Sequence, residues 1–204
     1  MFANGGMATE LALAYLIEAG AASDLPVDFA RHYTATWVGI GVLGALACNN
    51  GDTWASEIGA VMGVKNPRLI TTLRKVPRGT NGGVSFVGLV VSLLGGLVVG
   101  VGYLAGVLLF ADAHELSEAP AQWPVIVLGG IGGLLGSLID SLLGATLQFS
   151  GKCRQTGSIV EEPGRDVIPI SGMCVLGNHA VNLLASVLTG LCLPKIAVYF
   201  YTFL

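Results

Sequence analysis

Four long apolar runs divide the chain: residues 34–50, 84–110, 124–148 and 178–203, with polar and charged segments between them. A helix needs about 20 mostly apolar residues to cross a bilayer, so each run predicts a membrane-spanning helix. A fifth run, 7–19, is shorter and predicts a remnant of a span or a partial helix buried against its neighbours. Glycines recur at four-residue spacing, as Gly96-x-x-x-Gly100, Gly102-x-x-x-Gly106, Gly129-x-x-x-Gly133 and Gly132-x-x-x-Gly136. Small residues at that spacing let helix backbones approach closely in lipid. The expected fold is all-α: a polytopic transmembrane bundle of about five helices, one integral-membrane domain over 1–204.

Composition sharpens this. Of 204 residues, 53% are hydrophobic, 11% are charged and 30 are glycine, with a mean hydropathy of +0.73. Soluble domains carry about a quarter charged residues, so a soluble protein is excluded and the partner expected first is the lipid bilayer. No nucleic-acid partner is expected, and a homo-oligomer is an open expectation. Cys48, Cys153, Cys174 and Cys192 form no CxxC motif and have no histidine pairing, so neither zinc nor a disulfide framework is expected. Met1-Phe-Ala-Asn lacks a basic n-region and a cleavage site, so it does not read as a signal peptide. The abrupt start suggests a fragment or shortened product of a longer protein.

Loop charges alternate. Segment 20–33 carries Asp24 and Asp28 against Arg31, and 111–122 carries Asp112, Glu115 and Glu118 without a base. Segment 60–79 carries Lys65, Arg68, Arg74, Lys75 and Arg78 without an acid, while 149–177 is mixed. Lys and Arg concentrate on the cytosolic side, so loops 60–83 and 149–177 are expected there and the other two outside or in a lumen. Trp37 and Trp123 fall at outer span ends, as interfacial anchors do. Asp52, Glu57, Asp140, Asn178, Asn182, Asn4 and Glu10 all fall toward the cytosolic face. Carboxylates at membrane depth are costly unless they face a cavity, a cation or a partner. Their shared level predicts a site.

Asp52, Ser56 and Gly59 lie one and two turns apart on a helix and share a face. Glu57 is displaced by about one residue and is expected in the same pocket. A helix-end polar cluster that fixes packing is the plainer alternative. Paired acids near phosphate suit Mg²⁺, which is usually held by one or two carboxylates plus substrate phosphates. In Arg74-Lys75-Val-Pro-Arg78-Gly79-Thr80-Asn81-Gly82-Gly83, residues that tolerate positive φ can converge backbone N–H groups on an anion just before a helix N-terminus. It is not a Walker A loop, and the plainer alternative is a positive-inside linker. Asp140-Ser141-x-x-Gly144 echoes Asp52-Thr53-x-x-Ser56, which would present two similar acidic faces to one centre. Asn178 and Asn182 share a face and can donate to a phosphate or hold the carboxylates. His32, His114 and His179 are not expected to act.

The strings Gly51-Asp-Thr-Trp-Ala-Ser-Glu-Ile-Gly59, Pro67-Arg-Leu-Ile-Thr-Thr72, Gly79-Thr-Asn-Gly-Gly-Val84 and Asp140-Ser-Leu-Leu-Gly-Ala-Thr146 resemble the transmembrane protein 19 family. Plant and cyanobacterial phytyl-phosphate kinases of tocopherol synthesis belong with it. The resemblance covers essentially the whole chain, as the C-terminal part of a longer family domain. Asp52-x-x-Ala55-x-x-x-Gly59 followed by Lys75-x-x-x-Gly79-Thr80 is also similar to CTP-using prenol kinases. The resemblance implies phosphoryl transfer, from CTP or another nucleoside triphosphate to a prenyl monophosphate, at the cytosolic face of an intracellular membrane. On that reading Asp52, Glu57 and Asp140 are catalytic and hold Mg²⁺. Lys75, Arg78, Gly79, Thr80, Asn81, Gly82 and Gly83 hold donor phosphates, and Asn178 and Asn182 orient the acceptor. The competing expectations are a non-catalytic transporter or lipid-binding protein on the same scaffold, or an inactive shortened product. A proton pathway would use the acids but not the basic glycine-rich segment.

Overall fold

The computed structural model describes residues 2–20, 25–62 and 67–203, without the side chains of 2–4 and 60. Asp24, Lys65 and the side chain of Asn4 lie outside the described residues. The chain is mostly helical: α1 (Phe2–Ala19), α2 (Tyr33–Met62), α3 (Phe86–Phe110), the short α4 (Ala113–Glu118), α5 (Pro124–Leu147) and α6 (Asn178–Thr202). The runs at 84–110, 124–148 and 178–203 become α3, α5 and α6, each long and apolar enough to cross a membrane. The run at 34–50 becomes part of a 30-residue helix, because Asn49, Asn50 and Asp52 continue α2 rather than ending it. Asn50 Nδ2 donates to Gly95 O of α3 at 2.8 Å, so a polar side chain inside the bundle bonds to a neighbouring helix.

α2 is the central helix, packed by α1, α3, α5 and α6. Its apolar half supplies Ile40 and Leu43 to a core completed by Val27, Val125, Leu128, Leu193 and Ala197. Toward the other end the packing is made by glycine. A Cβ at Gly51 would lie 2.7 Å from Gly133 Cα, one at Gly129 2.8 Å from Gly100 Cα, and one at Gly136 2.5 Å from Cys48 Cβ. Three of the four glycine pairs therefore lie at helix crossings. The fourth, Gly102 and Gly106, does not, since nothing approaches a Cβ at either within 4 Å. Six residues beyond Gly96, at about 100° per residue, Gly102 has rotated away from α5.

Helix ends follow their caps. Ser85 accepts from Gly88 N to open α3, Asp112 accepts from His114 N and Glu115 N to open α4, and α5 begins on Pro124. At one end of the bundle, segments 25–33 and 111–123 interlock. Val27 N donates to Gln122 Oε1 at 2.8 Å and Gln122 Nε2 returns to Val27 O at 2.9 Å. Arg31 pairs with Glu115 at 3.3 Å and Glu118 at 3.1 Å. These are the two loops that charge placed on one side. The two assigned to the other side also meet, and they carry strands the all-α expectation lacked. β1 (Arg68–Leu69) pairs with β2 (Gly83–Val84), while β3 (Ser150–Cys153) lies between β4 (Ile159–Val160) and β5 (Val167–Ser171), all antiparallel. Asn81 N donates to Ser150 Oγ at 3.0 Å across that contact.

Candidate functional site

α2, α5, α6 and the segment before α3 end around one polar cavity of about 250 Å³. α2 contributes Asp52, Ala55, Ser56 and Gly59, which share a face by their three- and four-residue spacing. α5 contributes Ser137, Asp140 and Ser141. Ser137 Oγ, itself buried, donates to Asp52 Oδ1 at 3.5 Å. With its amide nitrogen turned toward the acid, Asn182 donates to Asp140 Oδ2 and to Asn178 O, both at 3.1 Å. Asp140 is thus tied to the first turn of α6, and Asn178 lines the cavity beside it. Asp52 and Asp140 also border a smaller chamber of about 10 Å³ with Cys48, Asn49, Thr53 and Asn182. That is about the volume one water-sized occupant needs.

The glycine-rich segment closes the other side. Gly79 and Gly82 adopt φ of +85° and +76°, which bends the chain back onto α5. A Cβ at Gly82 would strike Ala145 and come within 2.5 Å of Ser141 O, so only glycine permits that approach. Thr80 N and Oγ1 donate to Pro77 O, and Gly83 N donates to Thr80 O at 3.0 Å. With Asn81 N held by Ser150, three N–H groups expected to cradle an anion instead hold the loop together. Among the described residues, the N–H groups of Gly79 and Gly82 stay outside this network. Arg78 lines the cavity, as do Ser85 and Gly88 at the N-terminus of α3. That terminus carries the positive end of the helix dipole.

Two expected members stand elsewhere. Glu57 is exposed and is not among the cavity-lining residues, because five residues on a helix turn its side chain about 140° away from Asp52. Lys75 is exposed, opposite Arg68 on an isolated β-bridge, and does not reach the cavity. Glu10 is exposed on α1, also away from it. Among the described residues no three His, Cys, Asp or Glu side chains converge as a metal-binding set, so Asp52, Glu57 and Asp140 do not form a trio. The pair Asp52 and Asp140 remains: two carboxylates bordering one chamber, the number that commonly holds Mg²⁺ when substrate phosphates complete its shell. Sequence reasoning gave no role to Ser137, Asn49 or Thr53, although Thr53 stands in the Asp52-Thr53 echo. The Asn49-Asn50 pair inside an apolar run was the available signal. A larger hollow, about 660 Å³, opens at the opposite end beside Asp28, Arg31 and Tyr201, where Arg31 is already paired with glutamates.

The architecture defines an integral membrane helix bundle with a polar, acid-lined chamber at one end of its helices. Among known proteins, the chain belongs to the family described as integral membrane protein DUF92, whose model matches residues 1–190. It is 45% identical over 161 residues to Protein PGR of Arabidopsis thaliana, covering 79% of this chain and 55% of that protein. It is 30% identical over 169 residues to an uncharacterized membrane protein of Methanocaldococcus jannaschii, covering 82% of this chain and 56% of that one. A third relative, an uncharacterized membrane protein of Synechocystis, is 33% identical over 125 residues, 61% of this chain and 43% of its own. The chain spans about half the length of these curated relatives. No solved structure matches it.

Proposed function

We propose that this protein is a prenyl-phosphate kinase, transferring a phosphoryl group from a nucleoside triphosphate, CTP foremost, to a prenyl monophosphate held in the membrane. One observation carries the reading: two carboxylates, an arginine, positive-φ glycines and a helix N-terminus line a single cavity at the helix ends. Phosphoryl transfer asks a protein mainly for positioning and charge neutralisation, and those are the groups that supply both. At about 250 Å³ the cavity lies below the usual range for whole drug-sized ligands. It suits phosphates, with the nucleoside extending into the loops and the prenyl tail into lipid.

Asp52 and Asp140 would hold Mg²⁺, which neutralises phosphate charge when bound. Arg78 and the N–H groups of Gly79 and Gly82 bind the donor phosphates, and the dipole of α3 adds to their field. Thr80, Asn81 and Gly83 keep the loop in shape through the bonds already described. Asn178 orients the acceptor phosphate, and Asn182 holds Asp140 in position. A monophosphate acceptor is already an anion, so no general base is needed.

The test is prenyl diphosphate formation in nanodiscs from CTP and a prenyl monophosphate, with nucleotide-dependent thermal stabilisation measured alongside. Asp52→Asn is expected to lose turnover while remaining folded. Undiminished turnover in that variant removes Asp52 from its role. An absence of stabilisation by any nucleotide with Mg²⁺ favours a non-catalytic lipid-binding protein or transporter.

A further inference from the structure

The cations before α3 divide into two groups. Arg78 borders the polar cavity, whereas Arg68, Arg74 and Lys75 stand exposed on the turn preceding it. Arg68 and Lys75 lie opposite one another on an antiparallel bridge. Side chains so placed are close neighbours, and like charges there repel. Among the described residues, no acid lies within ion-pair distance of Arg68, Arg74 or Lys75. An external anion would relieve that crowding.

Leu73, at the tip of the same turn, has φ +56°, the left-handed region that bulky side chains avoid. It is held there by hydrogen bonds: Leu73 N donates to Leu69 O at 2.8 Å, and Arg68 Nη1 donates to Leu73 O at 2.8 Å. The result is an apolar side chain left 63% exposed on a turn that also carries Arg68, Arg74 and Lys75. The turn is also tied to a membrane-crossing helix. Arg68 pairs with Val84 on β2, two residues before α3 begins at Phe86, which is itself 80% exposed. An apolar tip flanked along the chain by cations, close before a helix long and apolar enough to cross a membrane, has the make-up of an interfacial anchor.

We propose that the 68–75 turn is a lipid-binding finger. Leu73 enters the headgroup region of the bilayer that holds α3, and Arg68, Arg74 and Lys75 bind the headgroups of anionic lipids. The exposed leucine selects this occupant over a soluble phosphate, which would have no use for it. The proposal does not depend on the kinase reading.

The experiment places a fluorophore at Leu73→Cys in a chain whose four native cysteines are replaced, reconstituted in nanodiscs of phosphatidylcholine with or without phosphatidylserine. Blue-shifted emission, quenched by lipids brominated near the headgroup, is expected. In the native-cysteine chain, preference for phosphatidylserine, measured by native mass spectrometry, should fall about fivefold for each cation removed in Arg74→Gln and Lys75→Gln. Water-like emission without lipid quenching overturns the proposal, as does an unchanged preference in the glutamine variants. So does displacement of phosphatidylserine by inorganic phosphate but not by chloride of equal ionic strength, which would make the turn a soluble-anion site.

Discussion

Gly129→Ala should destabilise the bundle, whereas Gly106→Ala, from a sequence motif of the same form, should not. A Cβ at Gly129 would lie 2.6 Å from Gly96 O and 2.8 Å from Gly100 Cα and N. Ordinary van der Waals contact begins at 3.4 Å, and every atom named is backbone, so no side chain can swing aside. α3 and α5 must separate by about half an ångström or more, along a crossing where Gly96, Gly100 and Gly133 are equally tight. Overpacking of this kind costs about 1–3 kcal/mol, and alanine's better helix propensity returns up to about 1 kcal/mol. A net loss of about 1–2 kcal/mol lowers the melting temperature of a chain this size by about 2–8 °C. At Gly106 nothing lies within 4 Å, so only the propensity gain operates, and the melting temperature holds or rises by up to about 4 °C. Fluorescence-detected melting of both variants in nanodiscs measures this. A Gly129→Ala melting curve superimposed on wild type, or an equal drop at Gly106→Ala, would refute the assignment of the α3–α5 crossing.

Asp140→Asn should cut prenyl diphosphate formation on the order of 100-fold, whereas Glu57→Gln, on the exposed face of α2, should leave it unchanged; equal losses would return Glu57 to the site. Gly82→Ala combines an unfavourable φ with contact against Ala145 and Ser141 O, so nucleotide-dependent stabilisation should disappear while the bundle still melts cooperatively. Gln122→Ala removes two buried hydrogen bonds, with Val27 N and Val27 O, and a part-buried one to Pro120 O. It leaves Val27's backbone groups unpaired, a loss of about 2–4 kcal/mol that a melting curve within a degree of wild type would contradict.

The spans were legible because apolar length is a one-dimensional property: 84–110, 124–148 and 178–203 need no partner to be recognised. α2 was only half legible, since Asn49, Asn50 and Asp52 look like a helix end until α3 and α5 supply Gly95 O and Ser137 Oγ as partners. Segments grouped by loop charge also meet in space, Arg31 with Glu115 and Asn81 with Ser150. The two small sheets were not, because β1 and β2 are two residues each and are fixed by the packing of their loops. At the site, helical spacing put Asp52, Ser56 and Gly59 on one face but was read too loosely for Glu57. The rotation separating them is the same arithmetic that turns Gly102 away from α5.

The crossing glycines and the acidic chamber are one construction. Gly51 meets Gly133 at the α2–α5 crossing, and the residues that follow each in chain order toward the cavity are Asp52 on one helix and Ser137 and Asp140 on the other. Backbones that touch at Gly51 and Gly133 set how far apart those side chains stand one turn later. Gly59 repeats this against Gly88 of α3, where a Cβ would lie 2.9 Å from Gly88 Cα, which fixes the α3 N-terminus relative to Asp52. A larger residue at Gly51, which does not line the cavity, would widen it by spreading α2 from α5, and one at Gly59 would do so by pressing on Gly88 at its rim. Its effect on nucleotide-dependent stabilisation should therefore exceed what its loss of melting temperature accounts for. An equal fall in both would leave these glycines as packing residues alone.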